Sequence, residues 1–354
     1  MQTLYYLLNN AYQASSALSL YRKTGGVFLV KNLKLRLQLK KYLRGISQPF
    51  GQRTLFNIPV VKNVDINQPL KQEGIFIALA NVPVQCSSSK SKVIFLGHGT
   101  GDKPYQGGQA LRLLEANNYH FISGPKHLAK LQDIKAAIPK ERLIKIGNMR
   151  FDDYVNDWSD KKKVYTQLGI KEPYRKNILY APTWKWGNGT LLKYGHLFCK
   201  TLSKRFNLII RPHAHDRMHI PKMRRWARKE GLTHVYFSKS SDIIRQDIMA
   251  VFKISDLMIS DTSSIIYEYL ITSKPQIIIK TDYDHLHAMP QSMDINSIAK
   301  QFDGTQNIEA LVQKTLEKHP EHLHEYQEML ANTFYFNDGQ STRRGIDFIQ
   351  SISF

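Results

Sequence analysis

The sequence predicts an α/β protein built from two doubly wound, Rossmann-like domains facing a cleft. Three observations lead there: a strand–helix rhythm that sets in at residue 74, a charged break between residues 161 and 173, and a second run of the same rhythm beyond it. Alternation of this kind implies parallel sheets covered by helices on both faces. Such sheets take their ligands at the carboxyl ends of the strands.

Residues 1–50 read as helical and basic, with Lys31, Lys34, Arg36, Lys40, Lys41 and Arg44 interleaved among Leu33, Leu35, Leu37, Leu39 and Leu43. The leucine alternation also fits a strand. A basic amphipathic segment suits an anionic lipid surface as well as a solvated helix face. Expected strands of the first half are Gly74–Ala80, Val93–Leu96, Tyr119–Ile122 and Leu143–Ile146. The charged stretch Lys161–Leu168, closed by Gly169 with Pro173 just beyond, marks a domain boundary. Asn177–Tyr180, Asn207–Ile210, His234–Phe237, Leu257–Ile259 and Gln276–Ile279 are the expected strands of the second half. Residues 320–354 read as mostly helical. The expected division is therefore 1–165, 170–325, and a helical tail over 326–354 that packs across both halves.

Composition narrows the partners. The 354 residues are 42% hydrophobic, which fits a globular chain. Fifty Lys and Arg stand against 29 Asp and Glu, a formal net charge of +21, which implies an anionic partner. No zinc-finger or RNA-binding signature accompanies that charge, and the basic residues are spread out, so nucleic acid is not the expected partner. Cys86 and Cys199 lack metal-ligand spacing and are too few for a disulfide framework, which suggests a reducing, cytosolic setting. Asn9, Asn10 and Gln13 interrupt the apolar start, so neither a leader nor a membrane span is expected.

Four polar turns follow apolar strands. Gly97-His98-Gly99-Thr100-Gly101-Asp102-Lys103 has glycines that let the backbone turn sharply and approach a ligand. Its spacing is not that of a nucleotide-hydrolase phosphate loop. His98 suits a general base, because imidazole titrates near neutrality, and equally suits a backbone cap. In Tyr180-Ala181-Pro182-Thr183-Trp184, Thr183 can contact a phosphate, and Trp184 or Trp186 can cover a base or simply pack the loop. Arg211-Pro212-His213 places a cation and an imidazole past a buried strand, suited to a diphosphate or its leaving group. His213, His215 and His219 form a conceivable metal set, but they lack the partnering Cys or carboxylate spacing, and no metal or other cofactor is expected.

The fourth turn, Ser260-Asp261-Thr262-Ser263-Ser264, runs straight into Ile265-Ile266-Tyr267-Glu268-Tyr269-Leu270. Asp261 or Thr262 is the expected N-cap, which leaves the N–H groups of Ser263 and Ser264 to face an anion. Ile265, Ile266, Tyr269 and Leu270 form the expected buried stripe, and Glu268 is placed to reach ribose hydroxyls.

Taken in order, these segments resemble the CDP-glycerol glycerophosphotransferase family, whose enzymes build poly(glycerol phosphate) teichoic acids and related capsules. Gly147-Asn148-Met149-Arg150-Phe151-Asp152 and Asn337-Asp338-Gly339-Gln340-Ser341-Thr342-Arg343-Arg344 add to the match, which covers roughly residues 90–350. The resemblance implies a GT-B-type fold with an acceptor domain first and a CDP-donor domain second. It implies His98 as the base on the acceptor hydroxyl, and His213 with Arg211 stabilising the attacked phosphate and departing CMP. Thr183, Asp261, Thr262, Ser263 and Ser264 would hold the donor, with Glu268 near the ribose and Arg344 adding positive charge. The implied reaction is transfer of glycerol phosphate from CDP-glycerol to an acceptor hydroxyl on a teichoic-acid-like, capsular or lipid-linked glycan. An anionic membrane surface on the cytoplasmic side is the implied location. Thr262 replaces the family's usual aromatic residue, and His285-Leu286-His287-Ala288-Met289-Pro290 replaces an Arg-Gly-Phe-Tyr-like segment. CDP-ribitol or a nucleotide sugar thus stand as alternative donors.

Overall fold

The computed structural model describes residues 2–46, 60–65, 68–81, 84–97, 99, 101–102, 107–157, 160–243, 247–282 and 289–353. The chain divides into two units. The first comprises Met1–Thr100, Pro104–Trp158 and Asn332–Phe354; the second comprises Gly101–Lys103 and Ser159–Ala331.

In the first unit a parallel sheet is formed by β1 (Leu4–Leu7), β2 (Val27–Val30), β3 (Val60–Asn63), β4 (Gly74–Ala78), β5 (Ser91–Phe95), β6 (Tyr119–Ile122) and β7 (Leu143–Lys145). Their spatial order is β3-β2-β1-β4-β5-β6-β7. Side chains alternate across the sheet, so each face receives every second residue. Tyr6, Phe28, Ile75, Ile77, Ile94 and Phe121 enter one buried cluster. Their neighbours Leu7, Leu29, Phe76, Val93, Phe95 and Ile122 enter another. Burial on both faces explains why these strands read as unbroken apolar runs.

The first 50 residues depart from the helical expectation, because they contribute β1 and β2. Tyr6 stacks on Phe28 with ring centroids 4.9 Å apart, and the fully buried aromatic pair fixes both strands in the sheet. Among the described residues of this stretch, Leu18–Thr24 and Leu33–Ile46 are α-helical, with a 3₁₀ turn over Ala11–Ala17.

The second unit carries β8 (Asn177–Tyr180), β9 (Asn207–Ile210), β10 (Val235–Phe237), β11 (Leu257–Ser260), β12 (Gln276–Ile279) and β13 (Lys300–Phe302), in the order β10-β9-β8-β11-β12-β13. All ladders are parallel. The chain runs outward in one direction from β8 and in the other from β11. The loops after these two central strands therefore diverge, which creates the ligand crevice of a doubly wound sheet.

The helix Ser341–Ser351 belongs to the first unit. Its first turn is held by the buried carboxylate of Asp152, which accepts from Ser341 N (3.1 Å) and Thr342 N (2.7 Å). Asn156 Nδ2 donates to Gly339 O at 2.8 Å. Asp152 and Asn156 thus join the Asn337–Arg344 segment, 183 to 190 positions away by these bonds, into one corner.

The first unit also contains an acid-sensitive element. His120 and His127 are buried, and burial holds their imidazoles down at about 4 and about 3, with the Lys130 charge adding to the effect at His127. Both native values lie below the unfolded value near 6.5, so the native state binds fewer protons. The corresponding stability is present above pH 6.5 and is lost as pH falls toward 4, on the order of 3 kcal/mol for His120. Urea unfolding followed from pH 8 to pH 4 should show this decline. His120→Gln keeps a donor toward Leu114 O, which His120 Nε2 meets at 3.0 Å, and should flatten it. An identical pH profile in the variant would remove His120 as a cause.

Candidate active site

Three loops at the carboxyl ends of β8, β9 and β11 meet within the second unit. The loop after β8 begins with Ala181, whose carbonyl accepts from Ser260 Oγ at 2.7 Å. Asp261 then fixes the rest of that loop. Its fully buried carboxylate accepts from Thr183 N at 2.7 Å through one oxygen, and from Thr190 N at 2.9 Å and Thr190 Oγ1 at 2.8 Å through the other. Thr190 Oγ1 also lies 2.9 Å from the Tyr180 hydroxyl. The loop folds back so tightly that a Cβ on Gly189 would lie 2.1 Å from Thr183 O, leaving room for glycine only.

The segment after β9 continues the ladder beyond the strands. Arg211 N donates to Tyr180 O at 3.0 Å, and His213 N donates to Pro182 O at 3.1 Å. These bonds seat Arg211 and His213 beside the Thr183 loop. Arg211 is buried, with its guanidinium within 3.5 Å of Ser238 Oγ. The half-buried His213 accepts the His215 N–H on Nδ1 at 3.2 Å. With Nδ1 an acceptor, the neutral ring carries its proton on Nε2 and can donate from there. Trp184 packs against both imidazoles, its ring centroid 6.3 Å from His213 and 5.1 Å from His215. Asp216, buried and raised by that burial, accepts Lys185 N at 3.0 Å and ties this loop to the first one.

The turn after β11 differs from its expected form. Ser263 N donates back to Asp261 O at 2.7 Å, and the helical turn begins only at Ile265. Ser264, not Asp261 or Thr262, stands in the N-cap position, and its side chain makes no capping bond. The reason is visible in Asp261: its carboxylate is drawn to the neighbouring loop and cannot serve its own helix. The α-turn is short, Ile265–Glu268, followed by a 3₁₀ turn over Tyr269–Thr272. Tyr267 and Glu268 are buried together with Ile266, Tyr269 and Leu270, so a continuous buried run replaces the expected stripe. Thr262 and Ser263 are half-buried at the loop surface, and Thr262 Oγ1 lies 3.5 Å from Thr281 Oγ1 beyond β12.

Gly101 and Asp102 also belong to this unit. A Cβ on Gly101 would lie 2.9 Å from Ser264 Cα, so the glycine permits the two backbones to touch. The Tyr267 hydroxyl donates to Asp102 Oδ2 at 2.6 Å and accepts Ile295 N at 3.3 Å. Burial and the Asp102 carboxylate hold the Tyr267 phenol well above its ordinary range, keeping it a donor.

His98, Thr100 and Lys103 lie outside the described residues. Arg344 is placed in the first unit, where its guanidinium pairs with both oxygens of Asp338 and lies 4.0 Å from the Phe336 ring centroid. The second unit thus brings together Thr183, Arg211, His213 and the Ser260–Ser264 turn. Sequence reasoning missed Thr190, Tyr267 and Asp102 as supports of that arrangement. The Gly189-Thr190 pair closing the Trp184 loop was an available signal for the first of them.

Residues 89–351 match the family described as CDP-Glycerol:Poly(glycerophosphate) glycerophosphotransferase. The chain belongs to that family. The resemblance carried by the ordered motifs is borne out at family level. A curated member, the teichoic acid poly(glycerol phosphate) polymerase of Staphylococcus epidermidis, is 28% identical over 149 residues, covering 41% of this chain. That match spans only 20% of the polymerase, about a fifth of its length. The solved wall teichoic acid polymerase TagF is similar with a TM-score of 0.68 at 16% identity, over 98% of this chain and 88% of that one. The UDP-GlcNAc 2-epimerase from Neisseria meningitidis, solved with UDP-GlcNAc, gives 0.62 at 15% identity, over 99% and 100% of the two chains. At these identities the likeness is one of fold. It places this glycerophosphotransferase-family chain among α/β proteins with two parallel sheets of GT-B kind.

Proposed function

We propose that the chain transfers glycerol phosphate from CDP-glycerol to an acceptor hydroxyl on a teichoic-acid-like, capsular or lipid-linked glycan, releasing CMP. The observation that carries this reading is the convergence of Thr183, Arg211, His213 and the Thr262–Ser264 turn at the carboxyl ends of neighbouring strands. Hydroxyls, a cation and an imidazole N–H at one crevice suit a diphosphate.

In the proposed step, the acceptor oxygen attacks the β-phosphorus, forming a phosphodiester as the bond from phosphorus to the bridging oxygen breaks. That oxygen leaves on CMP. His98 takes the acceptor proton. His213 donates through Nε2 to the charge that develops on the phosphate or on departing CMP, with Arg211 supporting from beneath. Thr183, Thr262, Ser263 and Ser264 hold donor oxygens, and Asp261 holds Thr183 in place. Glu268 near the ribose and Arg344 as an added positive charge complete the set. Positioning and charge stabilisation dominate such transfers. The sequence's surplus of positive charge supports an anionic donor, an anionic polymer and the cytoplasmic face of an acidic membrane as partners.

The test is nucleotide release from CDP-glycerol, CDP-ribitol and several nucleotide sugars, with and without a lipid-linked acceptor. CMP from CDP-glycerol, increased by acceptor, is the expected result. Preference for CDP-ribitol would change the polyol, and turnover of a nucleotide sugar alone would overturn the reading.

A further inference from the structure

We propose that the rings of Tyr335 and Phe336 form a stacking platform for the sugar ring of an anionic glycan acceptor. This rests on the transfer reading above and deepens it, because it names what the acceptor must contain. The platform is built at one edge of the first unit's sheet. Tyr335 N donates to Ser123 O at 2.9 Å, directly past β6. A Cβ on Gly124 would lie 2.0 Å from Thr333 O, and one on Gly147 would lie 2.9 Å from Tyr335 O. Residues 333–335 therefore press across the carboxyl ends of β6 and β7. The ladders of this sheet are parallel, so β5, whose end precedes His98 in the sequence, stops at the same edge. That is the ligand edge of such a sheet.

The backbone at this edge holds a phenyl ring outward in a strained conformation. Phe336 has φ +67°, and Asn337 N donates to Tyr335 O at 2.8 Å, closing a three-residue turn around a left-handed phenylalanine. Turns of this kind are rare in any residue but glycine. Strain kept at a bulky residue points to a use for its side chain. Packing does not supply that use, since Phe336 stays 52% exposed. Its ring centroid lies 5.8 Å from that of Tyr335. Arg344 covers one face of the Phe336 ring, and Lys145 Nζ lies 5.1 Å from the Tyr335 centroid. Asp338, ionised because Arg344 holds its carboxyl down at about 2, completes the rim. A sugar ring suits this set: its face of C–H groups packs on an aromatic ring, and its hydroxyls bond to a carboxylate and guanidinium. Lys145 adds a cation for a phosphate on the same glycan. A linear polyol phosphate has no flat apolar face and would need the cations alone.

The test is saturation-transfer difference NMR on the full chain, with glucose 6-phosphate, methyl glucoside, glycerol 3-phosphate and CMP as probes. Glucose 6-phosphate should bind more tightly than methyl glucoside or glycerol 3-phosphate, with its ring protons most strongly saturated. Phe336→Gly should weaken it about tenfold. The thermal midpoint should hold, because relief of the left-handed turn offsets the lost contact with Arg344. Phe336→Tyr keeps the ring and should bind as wild type does. Lys145→Gln should weaken glucose 6-phosphate about threefold and leave methyl glucoside unchanged. These readings need no turnover. If the chain releases no CMP from CDP-glycerol but the stated losses occur, the platform stands and only the transfer reading falls. Equal binding of glucose 6-phosphate by Phe336→Gly or Lys145→Gln would overturn the platform, as would a loss in Phe336→Tyr as large as in the glycine variant. Glycerol 3-phosphate binding as tight as glucose 6-phosphate, an equal loss of CMP binding in Phe336→Gly, or a marked fall in that variant's midpoint would also overturn it.

Discussion

His213→Ala is expected to lower CMP release from CDP-glycerol by about 100-fold or more, with little change in unfolding midpoint. The side chain is half-buried, and its Nδ1 accepts a backbone N–H within its own loop. Removing it costs the fold little. What the variant loses is a hydrogen-bond donor aimed from Nε2, because Nδ1 is already engaged. That assignment separates two roles for the same imidazole. If His213 works as a donor to phosphate charge, His213→Gln, whose amide can place an N–H near the old Nε2, should recover at least about tenfold over alanine. If it worked as a base, glutamine would recover nothing. His98→Ala should also lose about 100-fold, and glutamine there should give no recovery, since a base must accept a proton. Near-full turnover in either alanine variant would remove that histidine from the mechanism.

The second large effect concerns stability. Asp261→Ala should destabilise the chain by about 3–5 kcal/mol, because it leaves Thr183 N, Thr190 N and Thr190 Oγ1 buried without their acceptor. Asp261→Asn keeps one carbonyl oxygen and should cost less. The same loop carries Thr183, so a folded Asp261→Asn enzyme should show a raised KM for donor, by about tenfold, with a smaller change in kcat. Thr183→Val retains the backbone N–H that reaches Asp261 and should leave stability near wild type. Denaturant unfolding of the three variants checks the ranking. An Asp261→Ala chain as stable as wild type would show that the carboxylate does not hold the loop.

These two residues illustrate what a linear reading can and cannot reach. The strands from β4 to β12, apart from the part-exposed edge strand β7, were legible because a parallel strand buried on both faces is a short apolar run that stops at a polar turn. β13, Lys300–Phe302, has no such run, since only Phe302 is buried. β1 and β2 were hidden by the basic leucine-rich segment near them, although the Gly25-Gly26 pair separating the helix Leu18–Thr24 from β2 is a break that helical continuity does not predict. The functional loops were legible for the same reason as the strands that precede them. Their supports were not. Asp261 meets residues 71 and 78 positions away, and Tyr267 meets Asp102 across 165 positions. A carboxylate before a helix reads locally as a cap or a ligand contact, and only the neighbouring loop reveals that its oxygens are taken. Glu268 was placed toward ribose on helical spacing and on the family resemblance; the short turn and its burial could be seen only once the surrounding elements were packed.

The bond that breaks can be observed by following the reaction with CDP-glycerol and acceptor by ³¹P NMR. Attack at the β-phosphorus predicts one CMP resonance and one new phosphodiester resonance, rising together at equal rates. Release of CDP, with no phosphodiester formed, would mean that the enzyme transfers the carbon skeleton without its phosphate, and would contradict the phosphoryl-transfer assignment of His98 and His213.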